Sequence, residues 1–280
     1  QQPVYYAPVQ LPKWADPARL EQKELRRAAS RLSFATMTSL PIQVLWTTLA
    51  TLILTVCGVN FMGPNTIGDF PPTAYYLISS IASFLSIVLP FSFFLFFGKR
   101  KLSDTVLVEK NGVLNSVLLV FAGLAVSVLM NIPANLISQL LEGAGLNGDA
   151  NTADLLAMTP VQALTMFVSV VLVAPVTEEF AFRSVTTAVM RRWGDWPAVI
   201  FSALIFGMAH YSIQSLPVVL MAGFVMALLY VRTRNIWVNI FVHMLNNLLA
   251  TLPIALEGLV GADAANIASN LLTYIVYGFG

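Results

Sequence analysis

Charge is what this 280-residue chain has least of, since its 15 Lys and Arg and 14 Asp and Glu make up only 10% of it, against about 25% in a soluble domain. With 57% hydrophobic residues and a mean hydropathy of +0.76, a water-soluble core of this length could not hide the apolar surface. That excludes an ordinary soluble domain and makes a bilayer the solvent. Cysteine occurs once, as Cys57, which excludes a disulfide framework or a CxxC metal site within one chain; its apolar setting predicts a small buried hydrophobe. The net charge of +1, with no basic patch interleaved with aromatics, gives nucleic acid nothing to bind. The first 38 residues contain no apolar h-region, so no cleaved signal is expected and the first hydrophobic run should stay in place. Repeats of solenoid or transporter type are absent.

What is there is a series of apolar runs, at about 40–62, 74–97, 113–141, 159–190, 196–212, 215–231, 236–256 and 264–279. A membrane span needs about 20 such residues, so the fold class expected is all-α, a polytopic bundle of about eight transmembrane helices over residues 36–280. Residues 1–35 are polar and Pro-rich and predict a cytoplasmic tail leading into a short surface helix within Glu21–Arg31. The loop Glu142–Asp154 is rich in Gly and Asn and reads as a linker inside one bundle.

Orientation follows from the placement of Lys and Arg, which are enriched in short cytoplasmic loops. The N-terminal segment, the second loop (Lys99, Arg100, Lys101, Lys110), the fourth (Arg191, Arg192) and the sixth (Arg232, Arg234) hold every basic residue except Arg183. The alternate loops hold acidic residues alone. With an even number of spans, a multi-pass cell-membrane protein with both termini cytoplasmic is expected.

Ionisable groups at membrane depth cost about 2.5–3.5 kcal/mol each on insertion scales, so those present usually mark function. Here they are Glu178, Glu179 and Arg183 in the fourth run, His210 in the fifth and His243 in the seventh, and the two histidines are the whole complement of the chain. Asn239, His243 and Asn247 follow one another at i, i+4, so the seventh helix should carry a polar stripe on one face. Counting about 1.5 Å per residue from the basic ends puts His243 roughly 13 Å deep, Glu178 and Asn247 roughly 19 Å, and His210 roughly 21 Å. Side chains from three helices can therefore converge on one cavity.

Each group suggests a role. Glu178 can take a proton from water with His210 holding or relaying it, while His243 and Asn247, one turn apart, offer two donors to a developing oxyanion. Glu179 and Arg183 are spaced as an i, i+4 ion pair in the favoured order, which would cancel a buried charge and fix the neighbouring rotamer.

The segments EEFAFR (Glu178 to Arg183), FGMAH (Phe206 to His210) and HMLNN (His243 to Asn247) resemble the CPBP family. It comprises the CAAX-type proteases and the bacteriocin-processing or immunity (Abi) proteins, whose pattern is EExxxR, FxxxH and HxxxN on successive helices. The resemblance covers about residues 160–256. It implies a glutamate-dependent intramembrane endopeptidase in which Glu178 and His210 activate water, His243 and Asn247 form the oxyanion hole, and Glu179 and Arg183 support the site. Ser184 departs from the pattern, standing where a small Gly often follows the Arg, and removes no proposed catalytic group.

Other readings exist for each feature. The acidic pair with Arg183 can be a structural ion cluster, either histidine alone a hydrogen-bonded core residue, and Phe206 a core residue rather than a substrate contact. Two His and one Glu can hold zinc, yet no HExxH is present and the acids come from another helix; no cofactor is expected, with zinc as the competing view. A silent membrane scaffold or immunity factor and a proton-coupled transporter are the remaining classes. The function expected is hydrolysis of hydrophobic or lipidated peptides or peptide precursors in the bilayer.

Overall fold

The computed structural model describes residues 16–57, 72–146 and 164–260, with six further helical positions between 263 and 271. Eight helical elements are named: α1 (Pro17–Met37), α2 (Ser39–Val56), α3 (Pro72–Phe97), α4 (Val113–Gly143), α5 (Leu164–Trp193), α6 (Asp195–Met208), α7 (Leu216–Thr233) and α8 (Ile236–Val260). The described residues form no strand, only an isolated bridge between Val108 and Asn235. The fold is an all-α membrane bundle.

Local chemistry sets the helix ends. Asp16 caps α1 by accepting from Ala18 N–H (3.0 Å) with Pro17 in the first turn, a standard start signal. The helix then runs to Met37 and continues after Thr38 into α2, so the surface helix expected within residues 21–31 is longer and nearly continuous with the first apolar run. Gly194, at φ 115°, makes a turn that L side chains rarely adopt and folds α6 straight back onto α5. Arg234 ends α7 in the left-handed region, and Asn235 starts α8 by accepting from Trp237 N–H (3.0 Å).

Five stretches are long and apolar enough to cross a membrane: Pro17–Val56, Ser80–Phe97, Val113–Gly143, Leu164–Trp193 and Leu216–Thr233. That is fewer than the eight runs read from sequence. The apolar part of α8, 236–252, is shorter. α6 has 14 residues, roughly 21 Å of rise, less than the ~30 Å hydrocarbon thickness. The run expected at 264–279 and the loop from residue 147 on lie largely outside the described residues.

Around α5 the bundle is densest. α5 touches α3, α6 and α8, α7 packs between α6 and α4, and α8 lies against α4 and α5. α6 and α7 approach closely because a side chain at Gly223 would meet the Phe206 ring at 2.8 Å and one at Gly207 would meet Leu220 at 2.9 Å. The core joins Leu32, Phe91, Phe182, Val185, Phe206, Met226 and Val242 from six different helices. By contrast α2 buries only Ser39, and Cys57, expected to be a buried hydrophobe, is exposed at its end because the helix packs mainly on α3 and α1 and turns its other faces outward.

The basic connections gather at one end. The segment after α3 docks on the α7–α8 turn through Asn235 Nδ2 to Glu109 O (2.9 Å), Ile236 N to Leu107 O (2.9 Å) and the Arg234–Glu109 ion pair (2.7 Å). Buried Tyr230 accepts from Leu107 N–H and donates to Thr105 O (2.8 Å). Arg192, at the end of α5, pairs with Glu24 of α1 at 2.5 Å.

Candidate active site

α5 is not a regular α-helix. Its backbone widens into π-helical turns over Phe167–Val173 and Glu179–Thr187, visible also in the Thr186 and Thr187 hydroxyls, which donate five residues back to Ala181 O (3.0 Å) and Phe182 O (3.1 Å). Such turns cluster at functional sites. Adjacent residues on a regular helix do not share a face. Here Glu178 and Glu179, at the junction into the second π stretch, both reach one imidazole of α8.

That imidazole is His243, 3% exposed. Its Nδ1 lies 2.9 Å from Glu179 Oε1, a hydrogen bond in which the ring N–H donates to the carboxylate, and its Nε2 lies 3.7 Å from Glu178 Oε2. The second distance exceeds hydrogen-bond range. Glu179 is wholly buried and surrounded by donors: besides His243 it meets Asn239 Nδ2 (3.3 Å) and Arg183 Nε (3.3 Å) at Oε2. Glu178 differs. Its side chain is 16% exposed and its Oε2 has no hydrogen-bond partner among the described residues.

Arg183 is fully buried and its guanidinium carbon stands 4.2 Å from the centroid of the Phe206 ring, a desolvated cation–π contact of about 2 kcal/mol. The same ring meets His210 edge-on at 4.8 Å and His243 at 5.8 Å between centroids, so one aromatic side chain separates the two histidines. Phe206 is thus the core residue expected, 2% exposed, and also the spacer of the polar cluster. Phe182 and Phe91 continue the edge-to-face chain at 5.3 and 5.7 Å.

His210 is placed differently from the sequence expectation. α6 stops at Met208, where Tyr211 N bonds Met208 O (3.2 Å) and Tyr211 turns to φ 51°, so His210 sits in a turn and is exposed. Its Nδ1 lies 2.8 Å from Phe206 O; donation there leaves Nε2 as the basic nitrogen. The turn is tethered by Tyr211, whose hydroxyl donates to Thr36 O (3.2 Å) and lies 2.9 Å from Ser39 Oγ at the α1–α2 junction.

Asn247 stands apart from the carboxylates. Its amide donates to Val170 O at 2.9 Å in the first π stretch of α5, leaving one N–H. α5 and α8 therefore run antiparallel, with Asn239 and His243 at the glutamates and Asn247 farther along. Sequence reasoning put Asn239 on the stripe and gave it no site role, yet it is the amide that holds Glu179, with a second bond to Met226 O (2.6 Å); its i, i+4 spacing from His243 was the available signal. Among the described residues, no group of three His, Cys, Asp or Glu is arranged to hold a metal ion.

The arrangement can orient an imidazole, hold its Nδ1 proton on Glu179, and present Nε2 beside a partly accessible carboxylate. Comparison with known proteins points the same way. A family model described as type II CAAX prenyl endopeptidase Rce1-like matches residues 160–249. A Bacillus subtilis (strain 168) protein provisionally named as membrane peptidase YdiL is 31% identical over 140 residues, 50% of this chain and 57% of that protein. The chain thus spans little more than half the length of this curated relative. No solved structure matches significantly. The matched window contains α6, α7, α5 and the site-bearing part of α8, and over that window the chain is similar to CAAX-protease-like membrane proteins.

Proposed function

We propose that this protein is an intramembrane endopeptidase whose water nucleophile is activated between Glu178 and His243. The observation that carries this reading is the unpartnered Glu178 Oε2, 3.7 Å from the Nε2 of a buried imidazole whose other nitrogen is held by Glu179. This is the base-and-orienter logic of activated nucleophile sites.

Glu178 takes the proton as water attacks the scissile carbonyl. With Nδ1–H committed to Glu179, His243 Nε2 takes that proton from Glu178 and delivers it to the leaving amine as the C–N bond breaks, which releases the amine and the new carboxyl group. Asn247 offers its remaining N–H to the substrate backbone. His210, with Nε2 directed away from Phe206 O, polarises water or carbonyl from the other side of the Phe206 ring. Glu179, Arg183 and Asn239 position His243 and do not touch the reacting atoms. The substrate is a hydrophobic or lipidated peptide or peptide precursor, and the basic end of the bundle, with both termini, faces the cytoplasm.

The experiment is cleavage of a hydrophobic peptide library by the full chain purified in detergent, beside Glu178→Ala and His210→Ala. Both variants should stay folded, with turnover lowered at least about 100-fold. Full activity in both removes the proposed chemistry. Chelator treatment of the active protein should leave the rate unchanged, and metal-restorable inhibition would favour a zinc peptidase instead.

A further inference from the structure

At the basic end, between α1, the C-terminal end of α3 and the last turn of α5, lies a cavity of about 900 Å³. It is distinct from the carboxylate–imidazole cluster, none of whose residues line it. Its lining changes character along its length. Arg27, Arg31, Arg100 and Arg192 contribute from three separate segments, and Phe93, Phe94 and Phe97 with Ile42 form the apolar part.

α1 shows why. The cavity takes Glu24, Arg27, Ala28, Arg31, Ala35 and Thr38, one face at helical spacing, and that face passes from charged to apolar over four turns. Arg192 is occupied by Glu24. Among the described residues Arg27, Arg31 and Arg100 have no carboxylate partner. Three arginines without a carboxylate partner among the described residues line a space with a phenylalanine wall, and a second, smaller concavity on α1 adds Arg19, Lys23 and Arg26.

An occupant must therefore bring negative charge at one end and hydrocarbon at the other, and must be present where the interface meets the basic end of the bundle. We propose that this cavity binds an anionic phospholipid of the surrounding bilayer, with the phosphate on Arg27, Arg31 and Arg100 and an acyl chain along Phe93, Phe97 and Ile42. Clustered Lys and Arg on an interfacial helix attract anionic lipid at about a fivefold gain in affinity per charge, and guanidinium forks suit phosphate. A zwitterionic lipid gains little because its ammonium faces the same arginines. Bound there, the lipid ties α1 to the last turn of α5.

The test is native mass spectrometry of the full chain in detergent, titrated with phosphatidylglycerol or with phosphatidylcholine of the same acyl chains. The variants are Arg31→Gln/Arg100→Gln and Ser30→Glu, which sets a carboxylate on the exposed rim without touching the core, with Arg232→Gln as a control outside the cavity. Wild type and control should prefer phosphatidylglycerol. The double variant should weaken it roughly 30-fold, Ser30→Glu should weaken it in the same direction, and inorganic phosphate should not compete. Equal binding of the two lipids, or wild-type retention of phosphatidylglycerol by both variants, overturns the proposal. Displacement by a prenylated anionic peptide at equal concentration overturns it in favour of a substrate exosite.

Discussion

The two halves of the bundle treat polarity in opposite ways. In the most apolar window of Pro17–Val56 only 6% of residues are buried within the protein, against 39% for Leu164–Trp193 and 44% for Leu216–Thr233. α2 presents Leu49, Leu52, Ile53 and Val56 outward, as lipid-facing residues should be. α5 buries Glu179, Arg183, Ser184, Thr186 and Thr187 almost completely. When the outside is as apolar as Leu, association gains little from hydrophobicity, and the interior is where polar groups must go. Burial therefore tracks the chemistry rather than the hydropathy.

The sharpest way to break this contrast is Glu179→Ala, which leaves the buried Arg183 without its counterion and His243 Nδ1 without its acceptor. Removing one member of such a pair costs about 3–5 kcal/mol, so the unfolding midpoint should collapse, and an unchanged midpoint would show that the cluster does not hold the helices. Gly223→Ala probes the same region without touching charge. Its methyl would land 2.8 Å from the Phe206 ring, and overpacking of this kind costs about 1–3 kcal/mol, read as a lower midpoint in thermal unfolding. Tyr211→Phe is milder. It removes the tether of the His210 turn to Thr36 and Ser39, should cost about 1 kcal/mol, and should slow peptide turnover more than it changes KM. In the other half, Leu52→Ala, at a side chain 59% exposed, should stay within about 0.5 kcal/mol of wild type; a core-sized loss there would mean that α2 has a protein partner.

Much of the polar half was legible from residues alone. The ordered motifs and the i, i+4 stripe of α8 name the side chains that meet at His243, and the Glu179–Arg183 spacing predicts their ion pair. Two things were not legible. The π-helical turns that bring adjacent glutamates to the two nitrogens of one ring change the helical phase without leaving a residue signature, so depth arithmetic on a straight helix could not separate their surroundings. Hydrogen bonds to main-chain carbonyls are equally silent in sequence: Asn247 ends on Val170 O and His210 on Phe206 O. The lipid-facing half was read in the reverse manner, its apolar runs plain and its details not, as the length of α1 and the exposure of Cys57 show.

The central claim is a division of labour between neighbouring carboxylates, with Glu178 acting on water and Glu179 holding the imidazole. The most direct measurement takes Glu178→Gln and Glu179→Gln through peptide turnover and thermal unfolding on the same preparations. Glu178→Gln should keep the wild-type midpoint and lose at least about 100-fold in turnover, whereas Glu179→Gln should lower the midpoint. Cleavage at the wild-type rate by Glu178→Gln would contradict the account.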